Sequence, residues 1–161
     1  MDFLWSPWRG AYVSGQQPET GCVFCRLAAG PDAESDAARY ILYRGRANFV
    51  VLNLYPYTSG HLMIAPYAHL ARPSEAEKPD TDELMDLAKK AELALQAAYQ
   101  PDGFNLGMNL GRAAGAGVAD HFHLHVLPRW VGDANFTTTI GETRVLPEAL
   151  SETYQRLKRH F

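Results

Sequence analysis

Cysteine is almost missing from this chain: two among 161 residues, Cys22 and Cys25, too close together to form the cross-linked framework of a small secreted domain. Long apolar runs are missing too, and none approaches the roughly 20 residues needed to cross a bilayer. The opening stretch MDFLWSPWRGAYV has no apolar core after a basic start, so no signal peptide is expected. Neither sign of charge dominates, with 15 Lys and Arg against 18 Asp and Glu, a net charge of −3 and a pI near 6.0. That balance exerts no general pull on nucleic acid or an anionic membrane, so an anionic ligand has to be held by local groups. Internal repeats are absent, and 47% apolar content is enough to build one core. A cytoplasmic, single-domain protein spanning 1–161 is the expectation. It divides into an N-terminal aromatic and Cys-x-x-Cys segment (1–30), a core (40–130) and a C-terminal extension (131–161).

The regular elements are legible from period and punctuation. GPDAESDAA is small and polar and reads as a mobile surface loop. YILYRG, NFVVLNLYP and HLMIAPY are short, rich in β-branched and aromatic residues and separated by turn formers, which predicts three strands of an antiparallel meander. KPDTDELMDLAKKAELALQAAYQPDG predicts one long helix. Asp80 is its N-cap, Glu83 completes a capping box, and Leu84, Leu87, Ala88, Ala91, Leu95 and Ala98 form an apolar stripe that Pro101 and Gly103 end. FNLGMNL resumes the sheet, GRAAGAGVAD is a loop, HFHLHVLPRW is the last strand, and LPEALSETYQRLKRH is a C-terminal helix with Leu150, Tyr154 and Leu157 facing inward. This order predicts an α+β fold with a five-stranded antiparallel sheet.

Chemistry concentrates in HFHLHVLPRW. The chain has six histidines, and His121, His123 and His125 fall in five consecutive residues. On a strand they share one face while Phe122, Leu124 and Val126 share the other. The apolar face belongs in the core, so the imidazoles line something wet or polar. Either all three bind one metal, or one is a nucleophile and its neighbours hold an anionic substrate. The preceding NLGRAAGAGVAD favours the second, because Gly107, Gly111, Gly115 and Gly117 let backbone N–H groups approach an anion closely. CVFC leaves a redox pair, a zinc half-site or a coincidence open; the surroundings lack the βαβ context of a thioredoxin-like motif.

HFHLHVL resembles the signature of the histidine triad superfamily, and the likeness runs from about Tyr40 to Trp130. LWSPWR, LNLYPYTSGHLMIAPYAH, DGFNLGMNLGRAAGAG and PRWVGDANF resemble its bacterial diadenosine tetraphosphate phosphorylase-like branch. The resemblance implies a nucleotide hydrolase or transferase that splits a bond beside the α-phosphate of a nucleotide, most favourably in a dinucleoside polyphosphate. It implies a histidine triad fold in which two half-sheets pair into a ten-stranded homodimer. It makes His123 the nucleophile and His125 a donor to the phosphoryl or bridging oxygen. It also puts Asn109 on a phosphate oxygen, His61 beside the phosphate site and Asn53 on the ribose hydroxyls. Many members carry a Ser or Thr shortly before the first histidine. This chain has GAGVAD there, so a backbone N–H of Gly117 or Val118 has to substitute, and Asp120 is expected to repel phosphate.

Zinc-bearing members have a cysteine pair near the N-terminus, a histidine after the Gly-His strand, and the first triad histidine. The same resemblance therefore implies a structural zinc on Cys22, Cys25, His69 and His121. Mg²⁺ is expected only as a companion of the substrate's charges. Trp5, Trp8 and Trp130 are candidates to stack on a base, although packing accounts for each of them as well. Readings from other classes are a catalytically silent nucleotide sensor, an adenosine phosphoramidate-type hydrolase, and a catalytic zinc enzyme using all three triad histidines.

Overall fold

The computed structural model describes residues 21–30, 33–135, 138, 140 and 147–161. In chain order the elements are α1 (Val23–Ala28), α2 (Ala33–Ala38), β1 (Ile41–Arg44), β2 (Asn48–Leu52), β3 (Leu62–Pro66), α3 (Lys78–Tyr99), β4 (Gly103–Gly107), β5 (Leu124–Arg129) and α4 (Leu150–Lys158). The strands form one antiparallel sheet in the order β1-β2-β3-β5-β4, which makes the fold α+β as expected. β5 enters between β3 and β4, with His125 opposite Met63 on one side and Gly107 on the other. Among the described residues no helix is long and apolar enough to cross a membrane.

The period-2 pattern of β2 sorts its side chains onto two faces. Val50 and Leu52 join Leu62, Ile64 and Val126 under α3 and α4, which contribute Leu84, Leu87, Ala91, Leu95, Tyr154 and Leu157. Phe49 and Val51 join Ile41, Met63, Ala65 and Phe24 of α1 on the opposite face. Burying each Leu or Ile side chain is worth about 1.5–3 kcal/mol, so the helix-covered face carries most of the stability. Among the described residues, α1 packs on the thinner face through Phe24.

Two local expectations change. The expected loop after Gly30 contains α2, because Asp36 gains a partner that the local sequence does not show. Both Asp36 oxygens take Arg44 Nε at 3.0 Å, and Arg44 also donates to the carbonyls of Ala28 (3.1 Å) and Gly30 (2.8 Å) at the end of α1. The long helix begins earlier than expected, with Glu77 at the N-cap and Pro79 in its first turn. Asp80 is therefore inside the helix, and Glu83 does not complete a capping box. Glu83 instead accepts from the backbone N–H of Arg46 (2.6 Å) and Ala47 (2.7 Å) and from Asn48 Nδ2 (2.8 Å), tying the helix to the β1–β2 turn. Burial opposes ionisation of Glu83, but these hydrogen bonds outweigh it and hold its pKa below the usual carboxylate range.

Gly60 is required by space as well as by backbone. Its φ is +78°, and a Cβ there would meet Leu95 Cδ2 at 3.0 Å and Pro128 Cγ at 3.2 Å. This close approach sets the start of β3 and with it the position of His61.

Candidate functional site

The hydrogen-bonded ladder of β5 begins at Leu124, so His121 and His123 lie just before it instead of within it. The alternation survives nonetheless. Phe122, Leu124 and Val126 enter the core under α3, while Phe24 of α1 packs against His121 (5.2 Å) and His123 (4.7 Å) on the other face. Phe122 N–H donates to Leu70 O at 2.7 Å, which anchors the segment ahead of the sheet. The histidine face is less wet than alternation suggests, with His121, His123 and His125 at 0%, 6% and 8% exposure. Burial holds His121 and His123 below the ordinary imidazole range. It takes His125 down to about 4, with the neighbouring His123 adding to the effect. All three are neutral at pH 7.

The hydrogen bonds assign the tautomers, since carbonyl oxygens only accept and backbone N–H groups only donate. His121 Nε2 lies 2.9 Å from Pro66 O, so its proton is there and Nδ1 carries the lone pair. His123 Nδ1 lies 3.0 Å from His121 O, so its proton is on Nδ1 and Nε2 carries the lone pair. His61 Nδ1 accepts from Tyr57 N–H at 3.1 Å and faces Asn53 Nδ2 at 3.3 Å, which puts the His61 proton on Nε2. That Nε2–H donates to His125 Nδ1 at 2.9 Å, leaving the His125 proton on Nε2. His123 thus offers a lone pair and His125 a donor, both on Nε2. The two rings meet at 4.8 Å in an edge-to-face arrangement.

His123 and His125 border a cavity of about 220 Å³, as do Asn53, Asn109, Gly117 and Val118. Val23, Phe24, Leu27, Val51 and Met63 supply its apolar lining. The structure thereby brings together Asn53, Asn109, Gly117, His123 and His125, with His61 behind His125. Asp120 does not line this cavity; it borders an adjoining groove with Cys22, His69 and Arg112 that shares Val23, Gly117 and Val118 with it. Trp130 packs edge-on against Tyr99 at 6.3 Å, whereas Trp5 and Trp8 lie outside the described residues. Sequence reading missed Tyr57, whose ring stacks on His125 at 5.9 Å and packs on His61 at 4.7 Å. An aromatic in a connecting loop carries no periodic signal, and only its proximity to the Gly-His dipeptide pointed toward it.

A second cluster sits beside the first. Cys22, Cys25, His69 and His121 bring one ligand atom each to within 4.8 Å of one another and are positioned to bind a metal ion. His121 turns Nδ1 to Cys22 Sγ (3.3 Å) and Cys25 Sγ (3.7 Å), and His69 Nδ1 lies 3.3 Å from Cys25 Sγ. The remaining N–H of His121, on Pro66 O, is the backbone partner that fixes the tautomer of a metal-binding histidine. Burial and the adjacent Cys22 push the Cys25 thiol up, so a cation is what would draw off its proton. The pair opens a helix, with Cys22 at the N-cap of α1. That helix leads into α2 and an antiparallel sheet, not into a βαβ unit. Only His121 of the triad belongs to this cluster, while His123 has its Nδ1 on a carbonyl.

The architecture has counterparts among known proteins. The family model for the HIT domain matches residues 34–131. The AP-4-A phosphorylase of Mycobacterium tuberculosis is 39% identical over 158 residues, covering 96% of this chain and 81% of that protein. Among solved structures, a zinc-bound histidine triad family protein from Mycobacterium smegmatis superposes with a TM-score of 0.68 at 26% identity, covering 86% of this chain and 91% of that one. A hypothetical histidine triad nucleotide-binding protein from Sulfolobus tokodaii gives 0.63 at 28% identity, covering 86% and 88%. With more than half of its length matched by the family model, this chain belongs to the HIT domain family.

Proposed function

We propose that this protein is a nucleotidyl transferase or hydrolase that cleaves dinucleoside polyphosphates, diadenosine tetraphosphate foremost, at the α-phosphate. The observation that carries the proposal is the pair of opposite tautomers on neighbouring imidazoles, a lone pair on His123 Nε2 beside a donor on His125 Nε2. The 39% identity to an AP-4-A phosphorylase supports the substrate class.

In this mechanism His123 Nε2 attacks the α-phosphorus as the bond to the bridging oxygen breaks, giving a nucleotidyl-histidine. His125 Nε2–H donates to the bridging oxygen and stabilises the charge that leaves. Asn109 and the backbone of Gly117 hold phosphate oxygens, Asn53 holds the ribose, and the apolar lining of the cavity takes adenine. Inorganic phosphate or water then attacks phosphorus and releases His123; with phosphate the product is ADP. Burial favours this role for His123, because a neutral imidazole is the nucleophilic form.

The metal we assign is zinc, in a structural role. Bonds of about 2.3 Å to sulfur and about 2.0 Å to nitrogen at tetrahedral angles separate S and N by roughly 3.5 Å, and the separations here are 3.3, 3.3 and 3.7 Å. Four protein ligands leave no open position for substrate, so the metal pins α1 and holds His121, whose carbonyl orients His123. We assign the protein to the cytoplasm as a homodimer paired through the edge strand β4, where Leu106 is 44% exposed.

Incubation with diadenosine tetraphosphate, with and without phosphate, tests the reaction. Release of nucleotide products, and a nucleotidyl mass gain on protein trapped with a slow substrate, are expected. His123→Asn should abolish turnover and keep binding; turnover by that variant refutes the nucleophile. Tight binding without product in either condition makes the protein a nucleotide sensor instead.

A further inference from the structure

The cavity beside His123 holds about 220 Å³, below the roughly 300 Å³ at which pockets for whole ligands begin. It accommodates one nucleoside end, while the substrate class proposed above has two. Next to it opens a second groove of about 870 Å³, at the end of the sheet where β5, α3 and α4 converge. Tyr57 is the wall between them: it borders both spaces and stacks on His125. Since His125 carries the donor that faces the bridging oxygen, a chain departing on that side passes Tyr57 and enters the groove.

The groove has groups suited to a nucleotide. Trp130 and Tyr99 stand edge to face at 6.3 Å and join Tyr57 in lining it. Its carboxylates face cations or hydroxyls: Glu148 Oε1 ion-pairs with Arg156 Nε at 3.0 Å without a hydrogen-bond partner among the described residues, Glu148 Oε2 takes the Tyr99 hydroxyl at 2.5 Å, and Asp133 pairs with Arg129 at 2.6 Å. Arg159 also lines the groove, yet among the described residues it makes no ion pair, and its Nε reaches only Gln155 O of its own helix. The buried hydroxyl of Ser59, on the same wall, has no hydrogen-bond partner among the described residues.

We propose that this groove is the subsite for the leaving nucleotide, its base stacking on Trp130 and Tyr57 and its phosphates meeting Arg159. The inference rests on the proposed function for the identity of the reaction, and on the geometry for the second site. It assigns Trp130 and Arg159 to specificity for two-ended substrates, as groups remote from the reacting bond.

Diadenosine tetraphosphate and adenosine 5′-tetraphosphate separate the ends, since they share four phosphates and differ by one nucleoside. Losing a stacking partner for a base weakens binding about 10-fold. Trp130→Ala should therefore raise KM for the dinucleotide about 10-fold and leave KM for adenosine tetraphosphate within about twofold, with Trp130→Phe restoring much of the loss. Arg159→Gln should raise KM for both. Equal effects of Trp130→Ala on the two substrates, or none on the dinucleotide, overturn the assignment. If the wild type turns over neither compound, the reaction proposed above fails on its own. Calorimetric titration of His123→Asn and His123→Asn/Trp130→Ala then decides the subsite, because selective loss of dinucleotide affinity supports it and equal affinity overturns it.

Discussion

Replacing His61 by Leu removes the ring that sets the proton of His125 while keeping an apolar side chain of similar size. His61 is 1% exposed and serves three neighbours: Tyr57 N–H at 3.1 Å, Asn53 Nδ2 at 3.3 Å and His125 Nδ1 at 2.9 Å. An unsatisfied buried polar group costs about 1–3 kcal/mol. Tyr57 is half exposed and recovers part of its loss from water, and His125 shifts its proton to the other nitrogen. The net cost is therefore about 2–4 kcal/mol of stability, readable as a lower urea midpoint at unchanged slope. The kinetic effect is separate. Without the His61 N–H, His125 no longer keeps its proton on Nε2, and losing a positioned donor costs about 10²-fold or more in kcat. His61→Asn divides the two, because its side-chain oxygen can accept from Tyr57 N–H but is too short to reach His125. It should recover part of the stability and none of the kcat. A His61→Leu enzyme with wild-type kcat, or a His61→Asn enzyme restored in both, refutes the tautomer chain.

Acid should destabilise the protein through His125. Its folded pKa of about 4 lies below the ordinary imidazole value, so the unfolded chain binds the proton more readily. The contribution is complete above about pH 6.5 and is lost as pH falls toward 4, amounting to roughly 3 kcal/mol. His125→Gln should flatten that part of the urea midpoint against pH, and an unchanged slope contradicts the assignment. Glu83→Ala, which strands two backbone N–H groups and leaves the buried Asn48 amide only Asp80 O at 3.0 Å, is expected to cost about 2–4 kcal/mol in thermal or urea unfolding; a loss below about 0.5 kcal/mol counts against the helix–turn tie. Elemental analysis of protein prepared without chelator should find one zinc per chain, and Cys22→Ser should lower it and speed proteolysis near α1. Metal-free wild-type protein removes the zinc assignment.

Much of the site was legible in the chain because it depends on local period. Alternation put His121, His123 and His125 on one side of a strand, and a 3.6-residue stripe identified the long helix and its buried leucines. Resemblance then named Asn53, His61, Asn109 and Gly117, which the structure gathers around one cavity or directly behind it. The helix start and α2 were misread for one reason. Glu83 and Asp36 are decided by partners in other elements, the β1–β2 turn 37 positions away and Arg44 of β1 eight positions on, and helix propensity contains no information about them.

What the sequence by itself determined is which residue types occur at which spacing: three alternating imidazoles, a glycine-rich run, a Cys-x-x-Cys pair and one amphipathic helix. What only the tertiary structure decided is the state of each imidazole. A neutral histidine has two tautomers of similar energy, and the choice falls to whichever carbonyl or N–H lies beside it. For His121 that group is Pro66 O, for His123 the carbonyl of His121, and for His125 the N–H of His61, 64 positions away. Folding thus divides one histidine row into a candidate metal ligand, a lone pair and a donor, because the carbonyl or N–H that each ring meets in the folded chain decides where its proton resides.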